Sequence, residues 1–183
     1  MNIADYSLVY HRYDQLARHC YANTMSSGRG VEYEEFSWQP YKLLEAYALG
    51  VRAIEEKSIV RTSDWKRQSG ATTVACALML ADKDIVMLAS DLPAARHASR
   101  MVMSAYNQET KNRRFDVGQS IIHDKVRWTS KVKQDLHGQP LPKLIVVDSD
   151  TAYARGRDET IEFINSVGCA VLVLSAPPPW QFI

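Results

Sequence analysis

The chain has 183 residues, 46% of them hydrophobic and 23% charged, and its 22 basic and 21 acidic side chains leave a formal net charge of +1. That length favours one domain around one core, and that composition excludes wholesale disorder. The near-neutral balance excludes the global basic field of a histone-like nucleic-acid binder, so any nucleic-acid contact has to be a local patch.

In chain order, residues 1–30 form an N-terminal helix and loop, and residues 31–183 form an α/β unit of the same single domain. Ser7 to Ala22 lacks Gly and Pro and carries Leu8, Tyr13, Leu16 and Cys20, which predicts a helix with a partly apolar face. Asn23 to Gly30 predicts a loop. A second helix starts at Pro40, a residue suited to a first helical turn, and runs to Ile54 with Leu43, Leu44, Tyr47, Val51 and Ile54 on one side. The pattern then changes to short apolar runs alternating with helices. Ser58–Thr62 is a strand, Trp65–Gly70 a polar turn, Thr72–Ala81 an apolar helix, Asp84–Ala89 a buried strand and Pro93–Tyr106 a helix. Ser120–Trp128 holds one or two short strands. Lys143–Val147 is a strand ending in Asp148, Asp158–Ser166 a helix, and Cys169–Leu174 a last buried strand. Such alternation predicts a mainly parallel sheet covered by helices on both faces.

The three cysteines, Cys20, Cys76 and Cys169, are odd in number and far apart. They fit a reducing compartment, not a disulfide framework. The five histidines show no metal-ligand spacing. Met1 to Tyr10 has no long apolar run and contains Asp5, unlike a secretory leader. No apolar stretch reaches the ~18 residues of a membrane span. A cytoplasmic protein with no membrane association is the expectation.

Four segments carry candidate chemistry. The first is Lys66-Arg67-Gln68-Ser69-Gly70-Ala71-Thr72-Thr73, between a strand and a helix. A turn in that place aims backbone N–H groups and the positive end of the helix dipole at a phosphate. Gly70 permits close approach of the backbone, and Thr72 or Thr73 offers a hydroxyl to Mg²⁺. The common phosphate loop has GK[ST] here, whereas this chain has Gly70-Ala71-Thr72. An ordinary strand-to-helix turn would look similar. The second is the run Leu144-Ile145-Val146-Val147-Asp148-Ser149-Asp150, which delivers a carboxylate to the C-terminal edge of the sheet. Ligands bind at that edge in open α/β folds, and a carboxylate there can hold Mg²⁺ or simply cap a turn. The third, Ser175-Ala176-Pro177, ends the last strand with small residues. The fourth is Gln39, between Trp38 and Pro40-Tyr41. Its amide can both donate to and accept from an adenine edge, while Trp38 and Tyr41 can stack on a base or pack in the core.

Taken in this order, the segments resemble the ATPase domain of the large terminase subunit of tailed bacteriophages, a P-loop NTPase. Arg67, Gln68, Gly70, Thr72 and Thr73 match that family's phosphate loop, Gln39 its adenine motif, Asp148 its metal-binding acid and Ser175-Ala176-Pro177 its coupling motif. The resemblance spans Phe36 to Pro177. It implies binding of ATP and Mg²⁺, with nucleotide held by Gln39, Gln68, Ser69, Gly70, Ala71, Thr72 and Thr73 and the metal by Thr72 and Asp148. It also implies hydrolysis coupled to movement of double-stranded DNA, in a homo-oligomeric ring or with other phage proteins. Two residues depart from the pattern. Ala71 replaces the family's lysine, whose role Lys66 or Arg67 would have to take, and Ser149 replaces its glutamate, for which Asp150 would stand in. Two further readings stay open: a catalytically degenerate binding or regulatory protein that keeps the fold, and a helicase-like ATPase domain.

Secondary features have plainer readings. Two basic clusters, Lys111, Arg113 and Arg114, then Lys125, Arg127, Lys131 and Lys133 around Trp128, suit either a nucleic-acid backbone or solvent. Arg96 and Arg100 share a helix face and are candidates for an arginine finger between subunits. His123 and His137 are expected at the surface or satisfied in the core, and Cys76 and Cys169 in apolar packing.

Overall fold

The computed structural model describes residues 3–26, 40–63, 65, 70–109, 126–128, 136–138, 140–148 and 156–175. Their elements are α1 (Tyr6–Ser26), α2 (Pro40–Glu56), β1 (Ile59–Arg61), α3 (Ala71–Ala81), β2 (Ile85–Ala89), α4 (Leu92–Glu109), β3 (Val126–Trp128), β4 (Leu144–Val147), α5 (Arg157–Ser166) and β5 (Ala170–Val173). The strands form one sheet in the order β1-β5-β4-β2-β3, and every pairing is parallel. This is the mainly parallel α/β architecture that the alternating apolar runs predict.

The register follows from side-chain alternation along buried strands. Ile85, Met87 and Ala89 of β2, Leu144 and Val146 of β4, and Ala170 and Leu172 of β5 face one core, shared with α1, α2, α3 and α4. Leu88, Ile145, Val147, Val171 and Val173 face the other, against Ile161 and Ile164 of α5. Crossover handedness explains the split. The connections β1-α3-β2 and β2-α4-β3 move one way across the sheet, and β4-α5-β5 moves the other. Right-handed crossovers therefore place α3 and α4 on one face and α5 on the opposite one.

Helix α3 is buried on nearly every side: Ala71, Thr73 and the whole run from Val74 to Met79 are buried. The sheet lies beneath it. Above it packs α1, through a stripe of Val9, Tyr13, Leu16 and Ala17 that belongs to the same core. A helix apolar all round has to be covered all round, and α1 is the cover. The N-terminal helix is thus an integral layer of the domain. It extends through Ser26, past the start of the loop expected at Asn23. Its buried stripe also excludes Leu8, which is 40% exposed.

Helix α2 differs from expectation in the same way. Leu44 is 53% exposed, and the buried positions are Lys42, Leu43, Ala46, Gly50 and Ala53. The contact face is built of small residues because α2 lies close on the sheet. A Cβ on Gly50 would stand 2.9 Å from Ile3 Cδ1 and 3.3 Å from Leu144 Cδ2. Of the expected face, Leu43 is buried and Tyr47, Val51 and Ile54 pack against the core, so Leu44 alone is misplaced.

The N-terminal edge of the sheet is tied by Asp82, just after α3. Its carboxylate accepts from the backbone N–H of Asp84 (3.0 Å) and of Ala4 (3.2 Å) and pairs with the Lys143 ammonium ahead of β4. Tyr47 of α2 donates its hydroxyl to the Ala4 carbonyl. The chain start is thereby fixed to α2, α3 and β4 at once. No helix among the described residues is long and apolar enough to cross a membrane.

Candidate functional site

Beyond the paired row Arg61, Val173, Val147 and Leu88, the strands extend by one residue each, to Thr62, Leu174, Asp148 and Ala89. Backbone bonds continue into this row: Thr62 N–H to the Val173 carbonyl, Leu174 N–H to Val147 and Asp148 N–H to Leu88, all 3.0 Å. The row marks the C-terminal edge of the sheet. Helices leave it toward opposite faces, α3 after β1 and α5 after β4, which is the condition for a ligand crevice in an open α/β sheet.

Asp148 occupies this edge, 4% exposed. By alternation from Val146 it shares the α3 face. Thr72, in the first turn of α3, donates its Oγ1 hydrogen to Asp148 Oδ2 at 2.8 Å. The phosphate-loop candidate and the strand-end acid therefore meet, as the motif order predicts. Thr72 is half-buried and faces the acid, whereas Thr73 is buried in the packing. That distinguishes the two candidate hydroxyls in favour of Thr72.

Gly70 precedes α3 in the left-handed region, with φ 77°, and as a glycine N-cap it brings no side chain to the helix start. The first turn of α3 contains no acidic residue. The contrast with α5 is informative: its N-terminal Gly156 has φ 75° and likewise no side-chain cap, but Asp158 and Glu159 fill its first turn. Helix N-termini carry several N–H groups without intrahelical partners and a partial positive charge. In α5 carboxylates lie close to that charge. In α3 no carboxylate of the helix itself does, and the Thr72 and Asp148 pair stands beside it.

Below the pair, Cys76 lies one turn along α3, and its thiol contacts Met87 Sδ at 3.9 Å. Burial, then the charges of Asp148 and Cys20, push this thiol well up, so it stays protonated. The floor under Asp148 is apolar and uncharged. Ala71 is 5% exposed and joins the apolar core, so the position where GK[ST] loops carry lysine holds a packed methyl.

Ser175, the candidate coupling residue, continues beyond β5. Its N–H donates to Thr62 Oγ1 (2.9 Å), and its carbonyl accepts from Trp65 N–H (3.0 Å). Both of its backbone groups are thus held by the segment that leaves β1. Sequence reasoning missed the residues that organise that segment. Glu45 of α2 accepts the Ser63 N–H at 2.6 Å, the Ser63 hydroxyl at 3.0 Å and the Trp65 indole N–H at 3.0 Å. Lys42 is buried with its ammonium 5.6 Å from the Trp65 ring centre. Burial would raise the Glu45 carboxyl. The hydrogen bonds from Ser63 and Trp65 and the Lys42 charge outweigh it and hold the carboxyl below the usual range. Only the buried indole after a strand could have hinted at this cluster, because nothing in the spacing of Glu45 singles it out.

Several candidates lie outside the described residues: Gln39, Lys66, Arg67, Gln68, Ser69, Ser149, Asp150, Ala176 and Pro177, with His123 and both basic clusters apart from the β3 backbone of Arg127 and Trp128. Helix α2 does start at Pro40, immediately after Gln39. Arg96 and Arg100 are both exposed on α4. His137 is exposed, its ring 6.2 Å from that of Phe163, and Cys76 and Cys169 are buried as expected. A comparison with known protein families, curated proteins and solved structures returns no match to this chain.

Proposed function

We propose that this chain is a nucleotide-binding domain of the P-loop type that takes ATP with Mg²⁺ at the C-terminal edge of its sheet. The observation that carries the reading is the hydrogen bond from Thr72 to Asp148, next to a helix start whose N-cap is a glycine. Mg²⁺ takes hard oxygen ligands and is commonly held by one or two side chains, with phosphate and water completing the shell. A hydroxyl and a carboxylate within hydrogen-bond distance of each other fit that donor set. The N–H groups at the start of α3 suit phosphate oxygens, and Gly70 keeps their approach free of a side chain.

In this reading Thr72 and Asp148 hold the metal, Gly70 to Thr73 hold the phosphates, and Lys66 or Arg67 supplies the offsetting positive charge. Gln39, ahead of α2, reads the adenine edge, and Ser175 responds to the γ phosphate. Bound Mg²⁺ would neutralise charge on the phosphates. The resemblance of these segments to packaging terminases supports a role in double-stranded DNA translocation within an oligomer, with Asp150 in place of the missing glutamate.

A second reading has a specific observation behind it. Ala71 is packed into the core and Ser149 cannot serve as a general base, so two charged groups of an active ATPase are lacking. The chain would then bind nucleotide and act as a regulatory module. Thermal denaturation with and without Mg²⁺-ATP is the first test, because a ligand that binds only the folded state raises its stability. A shift with turnover supports the ATPase, and a shift without turnover supports the regulatory module. With no shift at high nucleotide concentration, both readings fail.

A further inference from the structure

The segment that leaves β1 is held from two sides at once. From α2, the single carboxylate of Glu45 takes three hydrogen bonds, two from Ser63 and one from Trp65. From β5, Ser175 is bound through both backbone groups, to Thr62 and to Trp65. Trp65 is 2% exposed and belongs to both sets of bonds. From it the chain runs on to Gly70 and the start of α3.

We propose that Glu45 is a positioning residue of the nucleotide site. It fixes the β1 exit to α2, and through that exit sets the α3 N-terminus and the end of β5 relative to the helix that follows Gln39. The proposal rests on the nucleotide-binding reading. Two features separate this role from plain packing. The carboxylate uses both oxygens on a segment at the sheet edge, where an apolar side chain would serve cohesion as well. And one of its partners, Trp65, donates its backbone N–H to the carbonyl of Ser175, the residue whose expected task is to follow the γ phosphate. A rigid Glu45–Trp65–Ser175 linkage lets the base side and the phosphate side of one ligand shift together.

The test uses the whole chain and four variants: Glu45→Ala, Glu45→Gln, Ser63→Ala and Thr72→Val, with Mg²⁺-ATP affinity measured by titration. Glu45→Ala should weaken binding by about tenfold. Glu45→Gln should fall between it and the parent, because one amide oxygen replaces one of two acceptors while the amide N–H₂ cannot accept from Trp65 or Ser63. The decisive readout is the cycle between Glu45→Gln and Thr72→Val. Sites without shared partners combine additively, so a departure by a factor of about three or more shows that Glu45 acts through the α3 start. A role confined to stability would lower the thermal midpoint and leave the affinity of the folded protein unchanged. If Glu45→Ala does not fold, Glu45→Gln and Ser63→Ala, which keeps the Ser63 N–H bond, carry the same comparison. Parental affinity in these variants, or strict additivity with Thr72→Val, overturns the positioning role alone. Failure of the parent to bind Mg²⁺-ATP overturns the nucleotide reading, and the proposal falls with it.

Discussion

Thr72 and Asp148, 76 positions apart in the chain, are joined by one hydrogen bond of 2.8 Å between the first turn of α3 and the end of β4. Removing the hydroxyl while keeping the shape, Thr72→Val, should cost about 1 kcal/mol of stability, the usual net worth of such a bond. It should weaken ATP binding in the presence of Mg²⁺ and leave binding in excess chelator unchanged. Asp148→Asn should abolish the Mg²⁺ enhancement as well. Equal losses with and without Mg²⁺, read by calorimetric titration, would take both residues out of a metal-holding role.

The packed methyl of Ala71 makes a second prediction. Ala71→Lys and Ala71→Met introduce side chains of similar length into a filled core, and each should destabilise by about 1–3 kcal/mol in denaturant titrations. Only the lysine can bring charge to the sheet edge, so only Ala71→Lys should tighten ATP binding. If Lys66 already supplies that charge, Ala71→Lys gains nothing and Lys66→Ala abolishes binding. Hydrolysis should recover further when Ser149→Glu is added to Ala71→Lys. Identical ATP affinities for Ala71→Lys, Ala71→Met and Lys66→Ala would show that phosphate does not reach this helix.

Gly70 and Gly156 form a matched pair for a third test. Both precede helices, with φ of 77° and 75°. Alanine at either should cost about 1–2 kcal/mol, the penalty for an L-residue in left-handed backbone. Only Gly70→Ala should also weaken ATP, because only that helix start adjoins the Thr72 and Asp148 pair. The measurement is chemical denaturation of both variants alongside nucleotide titration. A matching loss of affinity in Gly156→Ala would attribute the effect to stability.

The Asp82 carboxylate gives a pH dependence. Burial would raise it, but Lys143 and the N–H groups of Asp84 and Ala4 hold it below its ordinary value of 3.8. In the window between the folded and unfolded values the unfolded chain binds more protons, so stability rises with pH there. The contribution is complete above 3.8 and is lost as pH falls through the lower folded value. Urea midpoints should therefore drop more steeply in acid for the parent than for Asp82→Asn, which starts lower at neutral pH. Parallel pH profiles for the two proteins would show that the carboxylate is not linked to folding.

The strands were legible because parallel strands buried on both faces appear as unbroken apolar runs, and Leu144–Val147 and Ala170–Val173 fall within the runs that predict them. The α3 start and the strand-end Asp148 were legible for a related reason: a turn at the C-terminal edge has to carry small or polar residues. Helix faces were legible in part, through Tyr13, Leu16 and Leu43, which are buried. Leu8 and Leu44 are exposed, while Ala46, Gly50 and Ala53 make the contact, because the sheet is reached through small side chains and size alone does not mark a buried face. Glu45 was invisible for a different reason. Its partners lie on Ser63 and Trp65, and no local pattern encodes a hydrogen bond between a helix and a distant strand exit.

The cover that α1 places over α3 has an electrostatic consequence. Water screens the dipole of an exposed helix along its length, so little of its field survives beyond the end turns. The body of α3 lies between the sheet and α1, in surroundings of low polarisability, so its aligned peptide groups are screened far less. The positive potential at Gly70 therefore depends on a helix that belongs to an earlier part of the chain, Tyr6–Ser26. Any change that loosens α1 from α3 raises the local dielectric constant and weakens the pull on an anion at the sheet edge, without touching a residue there.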